Sequence, residues 1–118
     1  MRMWMIDPET LCRKHLLGEH GEIHKHRHNF VKKHSIKNRV LLGQIEPESM
    51  ETRHDMLAKE MISRGYNHNS PYEIPDLSHL TEFDRTAKVN LKLALADLHE
   101  RCADCKNRYD KKYENKLQ

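Results

Sequence analysis

His15, Glu19 and Glu22 stand four and three residues apart, a spacing that brings an imidazole and two carboxylates to one face of a helix. At about 100° per residue from His15, Glu22 falls near −20°, His26 near +20° and Glu19 near +40°. Leu16, Ile23 and Phe30 form an apolar stripe directly beside that face, so a segment packed on the core can reach it. The opening residues Met1-Arg2-Met3-Trp4-Met5-Ile6 are such a segment: short, apolar and expected to pack rather than fray. The α-amine of Met1 would then lie beside a carboxylate. An α-amine titrates near 7.7–8.0, so an appreciable neutral fraction exists at neutral pH, whereas a lysine near 10.4 would need a large shift. A carboxylate in that position can stabilise positive charge developing on carbon and then assist proton removal. Arg2 supplies charge for a phosphate, and its bulk at the second position leads us to expect that the initiator methionine is retained. Spacing by itself also fits a polar pair on a helix surface.

Three other groupings invite chemistry. His20, His24 and His28 recur at i, i+4 and i+8, a metal-binding spacing. Lys25, Arg27, Lys32 and Lys33 crowd that tract and repel a cation, so it is read as a stripe facing solvent or phosphate. Cys102-Ala-Asp-Cys105 with His99 is half of a zinc site, but a structural site needs four ligands. Both cysteines also lie on a core stripe, where a small buried hydrophobe is expected, and core packing is the preferred reading. The expectation is no metal and no organic cofactor. Arg53 and His54 either point to the cleft of His15 and Glu22 or are surface and boundary residues. Tyr66 and Tyr72 either stack on bases or fill a local cluster.

The elements that must position these groups are helices. Asp7-Pro8-Glu9 reads as a helix start, and the pattern predicts a first helix from about residue 8 to 34. Gly18 and Gly21 weaken it by about 1 kcal/mol each relative to alanine; close approach of another backbone or a ligand should compensate. Residues 35–46 connect to a second helix opened by Glu46-Pro47-Glu48, striped by Met50, His54, Leu57, Ala58, Met61 and Ile62, and closed by Gly65. Residues 65–82 carry two prolines and form a long loop, the kind that is often functional. A third helix is predicted from about Phe83 to Tyr113 along Phe83, Ala87, Leu91, Ala94, Leu98, Cys102, Cys105 and Tyr109. No strand and no internal repeat is evident. The fold expected is all-α, one compact domain over residues 1–118 with three main helices and long connecting loops.

The chain of 118 residues is polar, 33% charged and 36% hydrophobic, enough for one modest core. No run approaches 18 apolar residues, so no membrane span is expected. The start meets Asp7 and Pro8 too early for a signal-peptide core, and three cysteines suggest a reducing compartment, so the expected location is cytoplasmic. The net charge of +3 conceals segregation. Residues 13–39 sum to +6 with six histidines besides, residues 40–84 to −6, and residues 85–118 to +4. A basic first third fits a polyanion partner, although charge alone does not separate that from a solvated face.

The segments MRMWMIDP, HLLGEHGEIH and SRGYNHNSP resemble the pyrimidine dimer DNA glycosylase family. The family's H-L-x-x-E-x-x-E segment corresponds to His15 through Glu22, and its basic-Arg-Gly-aromatic-Asn segment to Ser63 through Asn67. The resemblance covers roughly residues 1–75. It implies a single layer of three helices and a DNA repair glycosylase with abasic-site lyase activity on damaged duplex DNA, pyrimidine dimers being the family's substrate. It also implies that the N-terminal amine attacks C1′ to form a Schiff base that permits β-elimination. On that pattern Met1 carries the nucleophile and Glu22 is the key acid. Arg2 and His15 contact substrate, and Lys14, Lys25 and Lys32 lie on the DNA-facing side of the first helix; Lys33 and Arg53 complete the expected contacts. The protein is expected to act as a monomer on double-stranded DNA.

Departures from the pattern bear on damage specificity. The family's best-known member bears its nucleophile on a threonine exposed by loss of methionine. A basic residue before the key acid is Gly21 here, and an aromatic C-terminal segment has no clear counterpart beyond Tyr109 and Tyr113. A non-catalytic DNA-binding protein on the same scaffold and a metal-dependent nuclease using the histidine tract are the rival readings.

Overall fold

The computed structural model describes residues 2–114, and their regular structure is all helical. The elements are α1 (Arg13–Val31), α2 (Lys37–Leu41), α3 (Met50–Ser63), α4 (Glu82–Arg85), α5 (Leu91–Arg101) and α6 (Ala103–Glu114). Single 3-10 turns at Pro8–Thr10 and Pro47–Ser49 precede α1 and α3.

The two proline signals therefore mark 3-10 turns rather than the first turns of long helices. Asp7 does cap: its side chain accepts from the Glu9 N–H at 3.0 Å. The chain leaves helical geometry again at Leu11, and α1 is opened instead by Cys12, whose Sγ accepts from the His15 N–H at 3.4 Å. At the far end of α3 the expected glycine cap is present. Gly65 has φ +85°, and the Gly65 and Tyr66 N–H groups donate back to the Ile62 and Met61 carbonyls.

α3 packs along α1. Leu16, Ile23 and Phe30 of α1 meet Met50, Leu57 and Met61 of α3 in a core that also takes in Met3, Ile6, Leu11, Ile45 and Leu98. Each of the larger side chains contributes about 1.5–3 kcal/mol by leaving water. Residues 2–6 pack as expected: Met3 is fully buried, and its N–H donates to the Gln44 carbonyl at 2.9 Å. Arg64 locks the end of α3 to the chain ahead of α1, donating to the Leu11 carbonyl at 2.8 Å and to Glu60 at 2.7 Å.

The predicted third helix is three pieces. Thr81 caps the one-turn α4, and Asn90 caps α5 by accepting from the Leu93 N–H at 3.1 Å. The backbone is extended at Cys102, with φ −137° and ψ 104°, before α6 begins. α5 and α6 form a bent pair, and α6 reaches the turn at Pro8–Thr10. There Lys112 bonds to both Asp7 and Glu9, and the Tyr113 hydroxyl donates to Asp7 at 2.7 Å.

Candidate active site

The N-terminal segment, α1 and the end of α5 enclose a cleft of about 310 Å³ lined by Arg2, Trp4, Lys14, His15, Gly18, Glu19, Glu22 and Arg101. Its charge is organised. Arg2, Lys14 and Arg101 surround two carboxylates that stand one helical turn apart and differ sharply in surroundings.

Glu19 is completely buried. Arg53 grips it with both ends of its guanidinium, Nε to Oε2 at 2.7 Å and Nη2 to Oε1 at 2.8 Å. The Met5 N–H adds a longer bond at 3.5 Å to the same carboxylate. Glu19 is thus the pin that fastens α1 to α3 and to the N-terminal segment. Glu22 has no such partner. Its Oε2 is buried without a hydrogen-bond partner among the described residues, and its Oε1 lies 3.9 Å from Lys25 Nζ. A carboxylate oxygen held in a cleft without a protein partner is available to a ligand.

The remaining expected site residues fall as follows. Arg2 lines the cleft but is nearly buried. Its guanidinium lies 4.1 Å from the Trp4 ring centre, and Nη1 donates to Asp97 at 3.0 Å, so its charge is already answered in part. His15 is on the wall edge-on to Trp4, at 6.0 Å between ring centres, while its Nδ1 turns to Cys12 Sγ at 3.1 Å and Cys105 Sγ at 3.5 Å. Burial, with Lys14 and Arg101 nearby, pushes the His15 imidazole below the usual histidine range. Lys14, Lys25, Lys32 and Lys33 are all exposed. Arg53, expected on DNA, is buried on Glu19 and cannot reach a phosphate. The amine of Met1 lies outside the described residues.

Gly18 and Gly21 were expected to admit another backbone or a ligand, and no other backbone approaches them. Nothing lies within 4 Å of a Cβ built on either, so both face open space. At 100° per residue they fall on the row of Lys14, Lys25 and Lys32, a strip without side chains edged by lysines.

The histidine stripe does not face solvent as expected. His20 and His24 turn toward α3 and the 65–82 loop, where the His20 ring lies 4.8–4.9 Å from those of His24, His54 and His68, and the His24 ring 5.0 Å from that of His54; only His28 is exposed. Tyr72 closes the group at 5.7 Å from His54, and burial pushes its hydroxyl up to about 12. It fills this cluster rather than waiting for a base. Burial and the neighbouring imidazoles of His54, His24 and His68 bring His20 down to about 4. A groove of about 470 Å³ beside this cluster is larger than the cleft, but Glu51 and Asp55 line it, a poor match for a polyanion.

The sequence alone assigned no role to Trp4 or Arg101, which line the cleft, or to Asp97, which holds Arg2. The match to a family model described as pyrimidine dimer DNA glycosylase extends over residues 1–74, which contain every lining residue of the cleft except Arg101. No curated protein and no solved structure matches the chain. No described helix is long and apolar enough to cross a membrane. With the matched segment spanning most of the chain and holding both carboxylates of the cleft, the protein belongs to the pyrimidine dimer DNA glycosylase family.

Proposed function

We propose that the protein is a bifunctional glycosylase and abasic-site lyase acting on damaged duplex DNA, with the Met1 amine as nucleophile and Glu22 as its acid–base partner. The observation that carries this reading is the unpartnered Glu22 oxygen in a cleft that Arg2, the residue next to that amine, also lines.

The neutral amine attacks C1′ of the damaged nucleotide. The N-glycosidic bond breaks and its electron pair leaves with the base; the C1′–O4′ bond then opens, its pair and the proton lost from nitrogen pass to O4′, and an iminium forms at C1′. Glu22 stabilises the positive charge at C1′ and then receives a proton from C2′. The C2′–H electron pair expels the 3′ phosphate, completing β-elimination. Lys14, Lys25, Lys32 and Lys33 hold the phosphate backbone, and the bare strip at Gly18 and Gly21 lets it lie close to α1. Binding should therefore fall steeply with salt. The target bond is inside the base stack, so the duplex must bend or extrude a nucleotide. A pyrimidine dimer is the lesion the family indicates.

Borohydride reduction in the presence of an abasic duplex tests the reading. A covalent protein–DNA adduct that maps to the N-terminal residue is expected. An unreactive complex would leave a DNA-binding protein without chemistry, and an adduct that survives N-terminal blocking would shift the nucleophile to a lysine.

A further inference from the structure

The three cysteines of the chain come from residue 12 and from residues 102 and 105, yet the fold brings all of them to one point beside His15. We propose that Cys12, His15, Cys102 and Cys105 form a structural zinc site that joins the start of α1 to the bend between α5 and α6.

The distances support a tetrahedral ion. Bonds of about 2.3 Å to sulfur and 2.0–2.1 Å to nitrogen imply tetrahedron edges of about 3.8 Å between sulfurs and about 3.5 Å between sulfur and nitrogen. Cys12 and Cys102 Sγ lie 3.8 Å apart, and Cys105 Sγ lies 3.5 Å from His15 Nδ1. The four ligand atoms all fall within 4.8 Å of one another.

The backbone points the same way. The ligands form two pairs of the same design, Cys12-x2-His15 and Cys102-x2-Cys105. In each, the N–H of the later residue donates to the earlier sulfur, at 3.4 Å in both cases. The Cys12 N–H donates in turn to Cys105 Sγ at 3.2 Å. Such N–H donors favour thiolates, the form that binds metal. The bend at Cys102 has no proline or glycine to cause it, and Arg101 and Ala103 on either side are good helix formers. At the bend both sulfurs meet Cys12, that of Cys102 at the Cys12 sulfur and that of Cys105 at the Cys12 N–H.

On binding, three S–H bonds give up their protons to solvent, and the three thiolates and one neutral imidazole displace water from the ion. The resulting charge of −1 has Lys14 and Arg101 nearby on the wall shared with His15. With Nδ1 on the metal, the His15 ring must carry its hydrogen on Nε2, which fixes the imidazole as a hydrogen-bond donor. The imidazole cluster around His20 is a poorer holder: His54 already donates to the Ser70 carbonyl at 2.9 Å, and no sulfur is present.

Elemental analysis of the full chain, purified under reducing conditions without chelator, should find about one zinc per chain. Cobalt(II) added to the chain after zinc removal should give intense visible bands and a near-ultraviolet thiolate-to-cobalt band. Cys102→Ser and His15→Ala should each weaken retention of the ion by at least about 100-fold. A wild-type chain that holds no zinc and gives only the faint cobalt spectrum of octahedral coordination would overturn the proposal. So would an ion that survives Cys102→Ser and is lost with His68→Asn. The cobalt spectrum is read on the wild-type chain, so a variant that fails to fold does not remove the test. Zinc without borohydride trapping would keep this site and discard the Schiff-base reading.

Discussion

The two flanks of α1 arise from one short stretch of sequence and have opposite characters. On one flank Gly18 and Glu22 border an open cleft with cations around it and a carboxylate oxygen without a partner among the described residues. On the other, His20 is buried and His24 half-buried against the rings of His54, His68 and Tyr72. Side-chain type does not set the difference, since both flanks are polar. What the neighbouring element supplies does: α3 and the 65–82 loop bring rings that fill space, whereas the N-terminal segment brings Arg2 and Trp4 and leaves a gap. Polar residues on a helix become a site where packing stops short of them.

The contrast can be broken most directly at Glu22. Glu22→Gln should lower base release from a lesion-containing duplex by about 1,000-fold, within the range for loss of an acid–base group, with DNA affinity retained. His68→Asn on the closed flank should leave the rate within about twofold; a comparable loss there would erase the distinction between flanks.

Glu19 offers the complementary test one turn away. Glu19→Ala leaves the Arg53 guanidinium buried and unpaired and should cost about 3–5 kcal/mol in urea unfolding. A cost below about 1 kcal/mol would mean that Glu19 is not the pin between α1 and α3.

Acid should expose the buried histidines next. His26 is 1% exposed, neither ring nitrogen has a partner among the described residues, and burial with Arg39 nearby brings it to about 4. The unfolded chain takes up this proton near 6.5, before the folded chain does, so His26 contributes stability above that pH and loses it as pH falls toward 4. The loss should approach about 3 kcal/mol at roughly 1.4 kcal/mol per unit. His26→Phe should flatten that part of a denaturation profile; an unchanged slope would place the lost protons elsewhere.

The smallest effect is the most pointed. A Cβ at Gly18 meets no atom of the fold, and Gly18→Leu replaces a poor helix former, so stability should rise by up to about 1 kcal/mol. The same side chain stands in the cleft and should reduce trapping on abasic DNA. A more stable protein with full trapping would show that DNA does not approach along this strip.

Much of the scaffold was legible in the sequence, and the reasons differ by element. Period located α1 and α3 because their apolar stripes face a single partner helix, and Gly65 marked the end of α3, while the N-terminal cap of α1 fell on Cys12 rather than Asp7. Proline marked where each turn begins but not that the chain would leave the helix again at Leu11. The bend at Cys102 carried no local mark, since its cause lies across the fold in Cys12. The likeness of Cys12-x2-His15 to Cys102-x2-Cys105 was the one written signal, and it goes unread while each pair is considered alone. For the cleft, His15, Glu19 and Glu22 follow from helical spacing, whereas Trp4, Asp97 and Arg101 follow from tertiary packing. Arg53 shows the reverse error: an arginine in a DNA-binding family suggests a phosphate contact, and burial has given it to a carboxylate.

The Arg2–Asp97 contact makes the two ends of the polypeptide answerable to each other. A chain cut after residue 74 would retain every position the family model recognises and still leave the second residue without its anchor. The segment that the family model recognises and the contacts that hold its second residue thus have different boundaries in this protein.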